Sequence, residues 1–206
     1  MTSDPNENQP GPVATYDSAT ALIVVDVQND FADPEGNLYV PGGENVVPTI
    51  NSEMAVAREA GALVVYTQDW HPETTRHFQK DGGIWPVHCV SGTWGAEFHP
   101  DLVVDGPVVR KGTDGSDGYS GFSVRDPNTG EESSTRLQGI LRDADVERVV
   151  IVGLAQDHCV KETALDAREH GYHTELLADA TAPVNLSPGD GARAIATLVR
   201  AGVSVR

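Results

Sequence analysis

The chain has 206 residues, enough for one domain with a sizeable core, and it carries a formal charge of −17. This acidity disfavours nucleic acid and anionic membranes as partners, because both are polyanions. No segment is long and apolar enough to cross a bilayer, which also argues against a membrane partner.

The N-terminal segment, residues 1–18, is polar and rich in proline. This composition predicts a disordered tail. The segment lacks the basic and apolar regions of a signal peptide, so we expect a cytoplasmic location. The two cysteines are then expected to be reduced rather than bridged. The rest of the chain, residues 19–206, is predicted to form one domain.

Six apolar runs predict six strands, at residues 21–26, 62–67, 107–111, 148–153, 174–179 and 202–205. The runs are nearly continuous rather than alternating, which is typical of strands covered on both faces. Helical spacing of apolar residues predicts helices at residues 45–60, 133–144, 160–170 and 188–201. The alternation of strands and helices predicts an α/β fold of three layers, α/β/α, with a doubly wound six-stranded parallel sheet.

Side chains that could take part in catalysis or metal binding follow four of the predicted strands. Asp26, Asp69 and Lys111 lie at or just beyond the ends of the first three, and residues 153–159 follow the fourth. Sites in such sheets lie beyond the carboxyl ends of the strands. We therefore expect these groups to meet at one edge.

Cys159 lies where a predicted strand turns into a helix. A cysteine in the first turn of a helix feels the positive end of the helix dipole, which should lower the pKa of its thiol and favour the thiolate. The free N–H groups there could hold an oxyanion. Cys159 is therefore a candidate nucleophile, although most free cysteines are small buried apolar residues.

Asp26 and Lys111 are candidates for the base and its partner. An acid that closes an apolar strand is costly to bury without a partner. Asp26 could take the thiol proton, and Lys111 could hold the carboxylate ionised and oriented. The alternatives are a turn or cap role for Asp26 and an ordinary strand-end cation for Lys111. Three such groups at three strand ends favour the catalytic interpretation.

A carboxylate and three histidines, Asp69, His71, His77 and His88, fall within twenty residues. Imidazole with carboxylate suits one divalent ion such as zinc, iron or manganese. Singly, each histidine could be only a solvated side chain, but the cluster favours a metal. Cys89 is a rival ligand to its neighbour His88. His99 lies apart from the cluster and is expected to be structural.

Three aromatic residues, Phe31, Trp85 and Tyr119, lie in predicted loops near these groups. They could sandwich a flat ring in a substrate pocket. Each could equally cover the small core of its own loop.

Taken together, these residues resemble the nicotinamidase branch of the isochorismatase-like (cysteine hydrolase) superfamily. Four segments carry the resemblance: ALIVVDVQNDF at residues 21–31, QDWHP at 68–72, WPVHCV at 85–90 and DHCV at 157–160. The first is found across the superfamily, whereas the second and third are specific to nicotinamidases. The resemblance covers residue 19 to the C-terminus and implies the isochorismatase-like hydrolase fold.

The resemblance implies a catalytic triad of Asp26, Lys111 and Cys159, and an octahedral ion held by Asp69, His71, His77, His88 and water. It implies a cis peptide bond at Leu154–Ala155, with the N–H groups of Ala155 and Cys159 forming an oxyanion hole. It also places Leu154 and His158 with the aromatic residues in the substrate site.

The implied reaction is hydrolysis of nicotinamide to nicotinate and ammonia through a cysteine thioester, extending to pyrazinamide. The metal would bind the pyridine nitrogen of this small-molecule substrate. The resemblance leaves a homo-oligomer open. The stretch at residues 126–134 departs from the family pattern and is expected to alter a surface loop near the mouth of the site.

Two alternatives remain open at the level of sequence. One is another amidase of the superfamily, such as an N-carbamoyl or ureido hydrolase, which would lack the metal cluster. The other is a non-catalytic metal-binding scaffold, which would not need all three members of the triad. Isochorismatase itself lacks the nucleophilic cysteine, so Cys159 argues against that activity.

Overall fold

The computed structural model describes residues 16–206. The predicted tail therefore falls largely outside the described residues, and its disorder stays a prediction. Tyr16, however, is buried, and its hydroxyl donates a hydrogen bond to Glu53 at 3.0 Å. Tyr16 thus packs against the domain, and the boundary between residues 18 and 19 stays a prediction.

The described residues form eight strands and five α-helices. In chain order these are β1 (Thr20–Val25), α1 (Asn29–Ala32), α2 (Gly43–Glu59), β2 (Leu63–Asp69), β3 (Val108–Lys111), β4 (Ser123–Arg125), β5 (Glu132–Ser134), α3 (Leu137–Asp143), β6 (Arg148–Leu154), α4 (Cys159–Glu169), β7 (His173–Ala182), α5 (Asp190–Arg200) and β8 (Ser204–Val205). None of the described helices has the length and apolar character needed to cross a membrane.

Six strands form one parallel sheet in the order β3-β2-β1-β6-β7-β8. The chain runs outward from β1 to one edge and then crosses back to build the other half. Apolar residues of α2, such as Ile50, pack with Leu22 and Val24 on one face, while α4 and α5 pack with Ile23 on the other. Because both faces of β1 are covered, all six of its residues are buried. The predicted three-layer, doubly wound sheet is confirmed.

Local elements differ from the predictions where short-range patterns compete. The helix predicted at residues 133–144 begins only at Leu137, because residues 132–134 pair instead with Ser123–Arg125 in a two-stranded hairpin. The stretch at residues 126–134, expected to be a surface loop, is thus partly strand. The four-residue helix α1 was not predicted, since it is too short to show a helical repeat.

Gly153 sits where β1 and β6 lie side by side just before the site, with Val25 as its register partner. Its φ of +112° is one that side chains with a Cβ rarely adopt. A Cβ at this position would also overlap the carbonyl oxygen of Val25. Only glycine therefore lets the two central strands stay paired up to the residues that carry the site.

We expect Gly153→Ala to destabilise the protein more than Gly171→Ala does. Gly171 also has a positive φ, +90°, but no atom lies within 4 Å of the Cβ position. The control should lose about 1–2 kcal/mol from backbone strain alone. Gly153→Ala should lose a further 1–3 kcal/mol or so from overpacking. Urea unfolding of both variants measures the difference, and equal losses would contradict the steric argument.

Candidate active site

The main chain turns sharply at Asp26, which has a φ of +48° and is fully buried. Its N–H donates to the carbonyl of Thr67 at 3.3 Å, and the Thr67 hydroxyl donates to its Oδ1 at 2.6 Å. The ammonium of Lys111 lies 2.9 Å from its Oδ2. Both carboxylate oxygens thus have a partner, and the side chain is held in one orientation.

Lys111 ends the edge strand β3, in register with Asp69 of β2. Its buried Nζ contacts Asp26, forms a very short hydrogen bond with Oδ1 of Asp69, and lies 3.7 Å from Sγ of Cys159. Burial alone lowers the pKa of Lys111, but the charges of Asp26 and Asp69 outweigh it and hold the pKa well above its usual value. The lysine is therefore a permanent cation at the centre of the site.

Cys159 is the first residue of α4, and its side chain is buried at the predicted edge of the sheet. Carboxylate oxygens of Asp26 and Asp69 lie within 4.8 Å of its sulfur. Burial raises the pKa of the Cys159 thiol well above its usual value, and the charge of Lys111 offsets this only in part. The expectation of a lowered pKa is therefore wrong, because burial raises the pKa most and the charges of Asp26 and Asp69 raise it further. The resting thiol is protonated and needs a base.

Asp26 is suited to be that base. Burial raises the pKa of its carboxyl above the usual value, while Lys111 acts in the opposite direction. A carboxylate with a raised pKa accepts a proton more readily than an exposed one. Burial likewise raises the pKa of Asp69, but Lys111 and His71 more than offset it, so its pKa lies well below the usual value. The two carboxylates thus differ: Asp69 stays ionised, and Asp26 can exchange a proton.

Three histidines, His71, His77 and His88, bring one ring nitrogen each to within 4.8 Å of one another, and all three are buried. Neither ring nitrogen of His71 has a hydrogen-bond partner among the described residues. Oδ2 of Asp69 lies 3.7 Å from Nε2 of His71 and 4.0 Å from Nε2 of His88. Buried nitrogens without partners, facing a carboxylate, fit a divalent metal ion.

The protonation of His88 also suits a metal ligand. Burial lowers the pKa of His88 to about 3, so the imidazole is neutral, as a metal requires. Its Nδ1 lies 2.7 Å from the carbonyl oxygen of Pro86, which leaves Nε2 for the cluster. Cys89 is directed elsewhere, with its sulfur 3.8 Å from the carbonyl of Gly95. The structure therefore favours His88 over Cys89 as the ligand from this segment.

A narrow cavity lies over Cys159 and next to the histidines. Its lining residues are Phe31, Leu38, Asp69, His77, Trp85, His88, Tyr119, Ala155, His158, Cys159 and Val184. The indole nitrogen of Trp85 donates to the Tyr119 hydroxyl at 2.9 Å, and the Trp85 ring meets His158 edge-on at 5.0 Å. These locked rings leave a slot that suits a flat ligand.

Of the predicted substrate-binding residues, Leu154 is the one that does not line this cavity. Its side chain is fully buried in the apolar core on the side of α2. The peptide bond between Leu154 and Ala155 is cis, as the resemblance implies. Ala155 lines the cavity, and the N–H of Cys159, at the start of α4, has no carbonyl partner within the helix. The oxyanion hole stays a prediction.

Several residues that hold the site were missed by sequence reasoning. Gln28 accepts from the N–H of Asp69 at 2.8 Å and donates to its carbonyl at 2.7 Å, which fixes the main chain beneath that ligand. Asp30 accepts from the N–H of Cys89 at 2.6 Å, beside His88. Thr67 and Asp117 bond directly to Asp26 and His77. A polar residue inside an apolar strand was the available signal for Thr67, whereas nothing local marks Asp117.

The fold and the site together define an α/β protein with a buried cysteine, aspartate and lysine beside a histidine cluster that fits a metal. The isochorismatase domain family matches residues 20–205 of the chain. The chain belongs to the isochorismatase family.

Relatives within this family are similar over most of their length. A nicotinamidase/pyrazinamidase of Mycobacterium tuberculosis is 42% identical over 170 residues, covering 80% of this chain and 87% of the relative. The structure of a pyrazinamidase of Pyrococcus horikoshii in complex with zinc has a TM-score of 0.82 and 42% identity, covering 91% of this chain and 98% of that one. The L. infantum protein PnC1 in complex with nicotinate has a TM-score of 0.84 and 39% identity, covering 93% and 94%.

We expect the two charged neighbours of Cys159 to shift its titration in opposite directions. Asp26 raises the pKa of the thiol and Lys111 lowers it. In Asp26→Asn the thiol should therefore ionise at lower pH than in the wild type, and in Lys111→Met at higher pH. The pH dependence of iodoacetamide alkylation, mapped to Cys159 by peptide mass spectrometry, measures both shifts. Parallel shifts would contradict the opposing-charge arrangement.

Proposed function

We propose that this chain is a nicotinamidase that hydrolyses nicotinamide to nicotinate and ammonia and also accepts pyrazinamide. The observation that carries the proposal is the contact of one buried lysine, Lys111, with Asp26 at 2.9 Å and with Cys159 at 3.7 Å, where Cys159 lines an aromatic slot. Relatives that are called nicotinamidases and pyrazinamidases, and a neighbour that holds nicotinate, support the same substrate class.

The reaction begins with the thiol proton. Asp26 accepts it from Cys159, and the thiolate attacks the carboxamide carbon of the substrate. The N–H groups of Ala155 and Cys159 receive the developing oxyanion. Asp26 then gives the proton to the departing ammonia, which leaves a thioester on Cys159.

Hydrolysis of the thioester completes the cycle. Asp26, now a carboxylate again, takes a proton from a water molecule, and the resulting hydroxide adds to the thioester carbon. Collapse of this second tetrahedral species expels the thiolate and releases nicotinic acid, which loses its proton to solvent as nicotinate, and the thiolate recovers its proton from Asp26. Lys111 stays charged throughout, orients Asp26, and stabilises each state in which the thiolate carries the negative charge.

The divalent ion would be held by Asp69, His71, His77 and His88, the residues whose facing nitrogens and carboxylate fit such a group. When bound, the ion would act as a Lewis acid that can accept the lone pair of the ring nitrogen of the substrate. Zinc, iron and manganese all suit these ligands. The zinc complex of the P. horikoshii relative supports zinc among them.

Other assignments are less well supported. An N-carbamoyl or ureido hydrolase would not need the three buried histidines, and an inert scaffold would not need the assembled cysteine, aspartate and lysine. A homo-oligomer and a cytoplasmic location stay predictions, and the proposed chemistry depends on neither.

Cys159→Ala should abolish ammonia release from nicotinamide, because it removes the nucleophile and little volume. Cys89→Ala is the matched control: this cysteine is also buried, but it packs in the apolar core with its sulfur 3.8 Å from the carbonyl of Gly95, and it does not line the cavity. We expect the control to keep most activity and Cys159→Ala to keep its bound metal. Asp26→Asn should slow turnover by about 10²–10⁴-fold through loss of the base. Reversed phenotypes of the two cysteine variants would refute the mechanism.

The ring nitrogen of the substrate provides a separate test of the metal's role. Pyrazinamide has a nitrogen at the same ring position as nicotinamide and should be hydrolysed at a comparable rate. Benzamide has the same flat shape but no ring nitrogen, so kcat/KM should fall by at least roughly a hundredfold. The gap should shrink in metal-depleted enzyme, in which neither ring can be anchored. Equal rates for benzamide and nicotinamide in the metal-loaded enzyme would argue for a purely structural ion.

A further inference from the structure

The histidines of the cluster differ in how their outward ring nitrogens are held. His71 has no hydrogen-bond partner among the described residues, and Nδ1 of His88 faces the carbonyl of Pro86. Nδ1 of His77, in contrast, lies 2.6 Å from a carboxylate oxygen of Asp117. The His77 side chain is 5% exposed and that of Asp117 is 24% exposed, so solvent screens this contact only partly.

The contact with Asp117 decides which nitrogen of His77 carries the proton. A carboxylate oxygen at hydrogen-bonding distance accepts a proton and cannot donate one, so Nδ1 must carry the hydrogen. Nε2 is then left with its lone pair as the nitrogen that His77 can offer to the cluster. A carboxylate behind a ligating histidine also makes the ligand more basic and fixes the plane of its ring.

Asp117 is itself fixed by its surroundings. Its Oδ1 accepts the N–H of Gly118 at 2.8 Å, and Arg125 lies 3.6 Å from its Oδ2. The main chains of Asp117 and Arg125 exchange two hydrogen bonds, of 2.7 and 2.6 Å. Arg125 belongs to β4, so the hairpin of β4 and β5 braces the carboxylate that contacts His77.

We propose that Asp117 is a positioning residue of the metal site, which sets the tautomer and ring orientation of His77 and thereby raises the affinity of the cluster for its ion. The hairpin that braces Asp117 is thus part of the support of the metal site. This inference rests on the proposed metal site and adds a residue outside its ligand set.

Metal affinity is the first readout. Metal-free protein is titrated with Zn²⁺ in competition with a chromophoric chelator, for the wild type and for Asp117→Ala, Asp117→Asn and Asp114→Ala. Asp114 is the matched control, because it lies in the same loop and carries the same charge, and its Oδ1 accepts the N–H of Ser116 at 3.1 Å. Asp117→Ala should weaken Zn²⁺ binding by about 10–100-fold. Asp117→Asn should lose less, because its amide oxygen still accepts but carries no charge.

The tautomer of His77 is the second readout, and a merely structural role for Asp117 would leave it unchanged. Long-range ¹H–¹⁵N correlation spectra of the metal-free protein should show the proton of His77 on Nδ1 in the wild type and in Asp114→Ala. In Asp117→Ala the Nε2–H form should become populated. If Asp117→Ala does not fold, the near-isosteric Asp117→Asn is used instead. This variant is expected to bind Zn²⁺ at least about threefold more weakly than the wild type.

The outcomes separate this inference from the metal site on which it rests. Affinity in the Asp117 variants equal to that of Asp114→Ala, or a wild-type His77 with its proton on Nε2, would overturn the role of Asp117 and leave the metal site intact. A wild-type protein that binds no Zn²⁺ through its histidines would refute the metal site itself, and this inference with it.

Discussion

The buried ammonium of Lys111 is the interaction on which the rest of the site depends. An isolated cation without water would be strongly unfavourable, and it is tolerated here because the carboxylates of Asp26 and Asp69 contact it directly. The same carboxylates could not be buried so close together without the cation between them. The parallel register of β2 and β3 places Asp69 beside Lys111. Burial of these charges therefore depends on this register.

Asp69 links the two halves of the site because each of its oxygens faces a different partner. One oxygen contacts Lys111, and the other faces the nitrogens of His71 and His88. The charge of Asp69 is thus shared between the catalytic cation and the histidine cluster. Oδ1 of Asp26, in contrast, accepts a hydrogen bond from the neutral hydroxyl of Thr67. Asp26 is therefore the carboxylate that can exchange a proton with Cys159.

The reactive groups are held by an outer layer of hydrogen bonds that are mostly made to the main chain. Gln28 clamps the backbone of Asp69, and Asp30 holds the backbone of Cys89 next to His88. Asp157 accepts the N–H groups of Val184, which lines the cavity, and of Asn185. These bonds are buried or part-buried, and they hold in place long loops whose only regular structure between β2 and β3 in the described chain is two short 3₁₀ helices, Gln79–Asp81 and Trp94–Ala96. This explains how the stretch between β2 and β3 can be irregular and yet bring three histidines together.

The sequence by itself determined the parallel three-layer fold, because short continuous apolar runs such as residues 21–25 are typical of strands buried on both faces and alternate along the chain with helical patterns. It also determined that Asp26, Asp69, Lys111 and Cys159 meet, since the carboxyl ends of parallel strands share one edge. Tertiary structure alone decided what each group does there. The pKa of Cys159 is raised rather than lowered, because desolvation depends on everything packed around the sulfur and not on its place in a helix. Leu154 lies in the core and Asp117 lies behind His77 for a similar reason: contacts between residues distant in the chain leave no periodic pattern in the sequence.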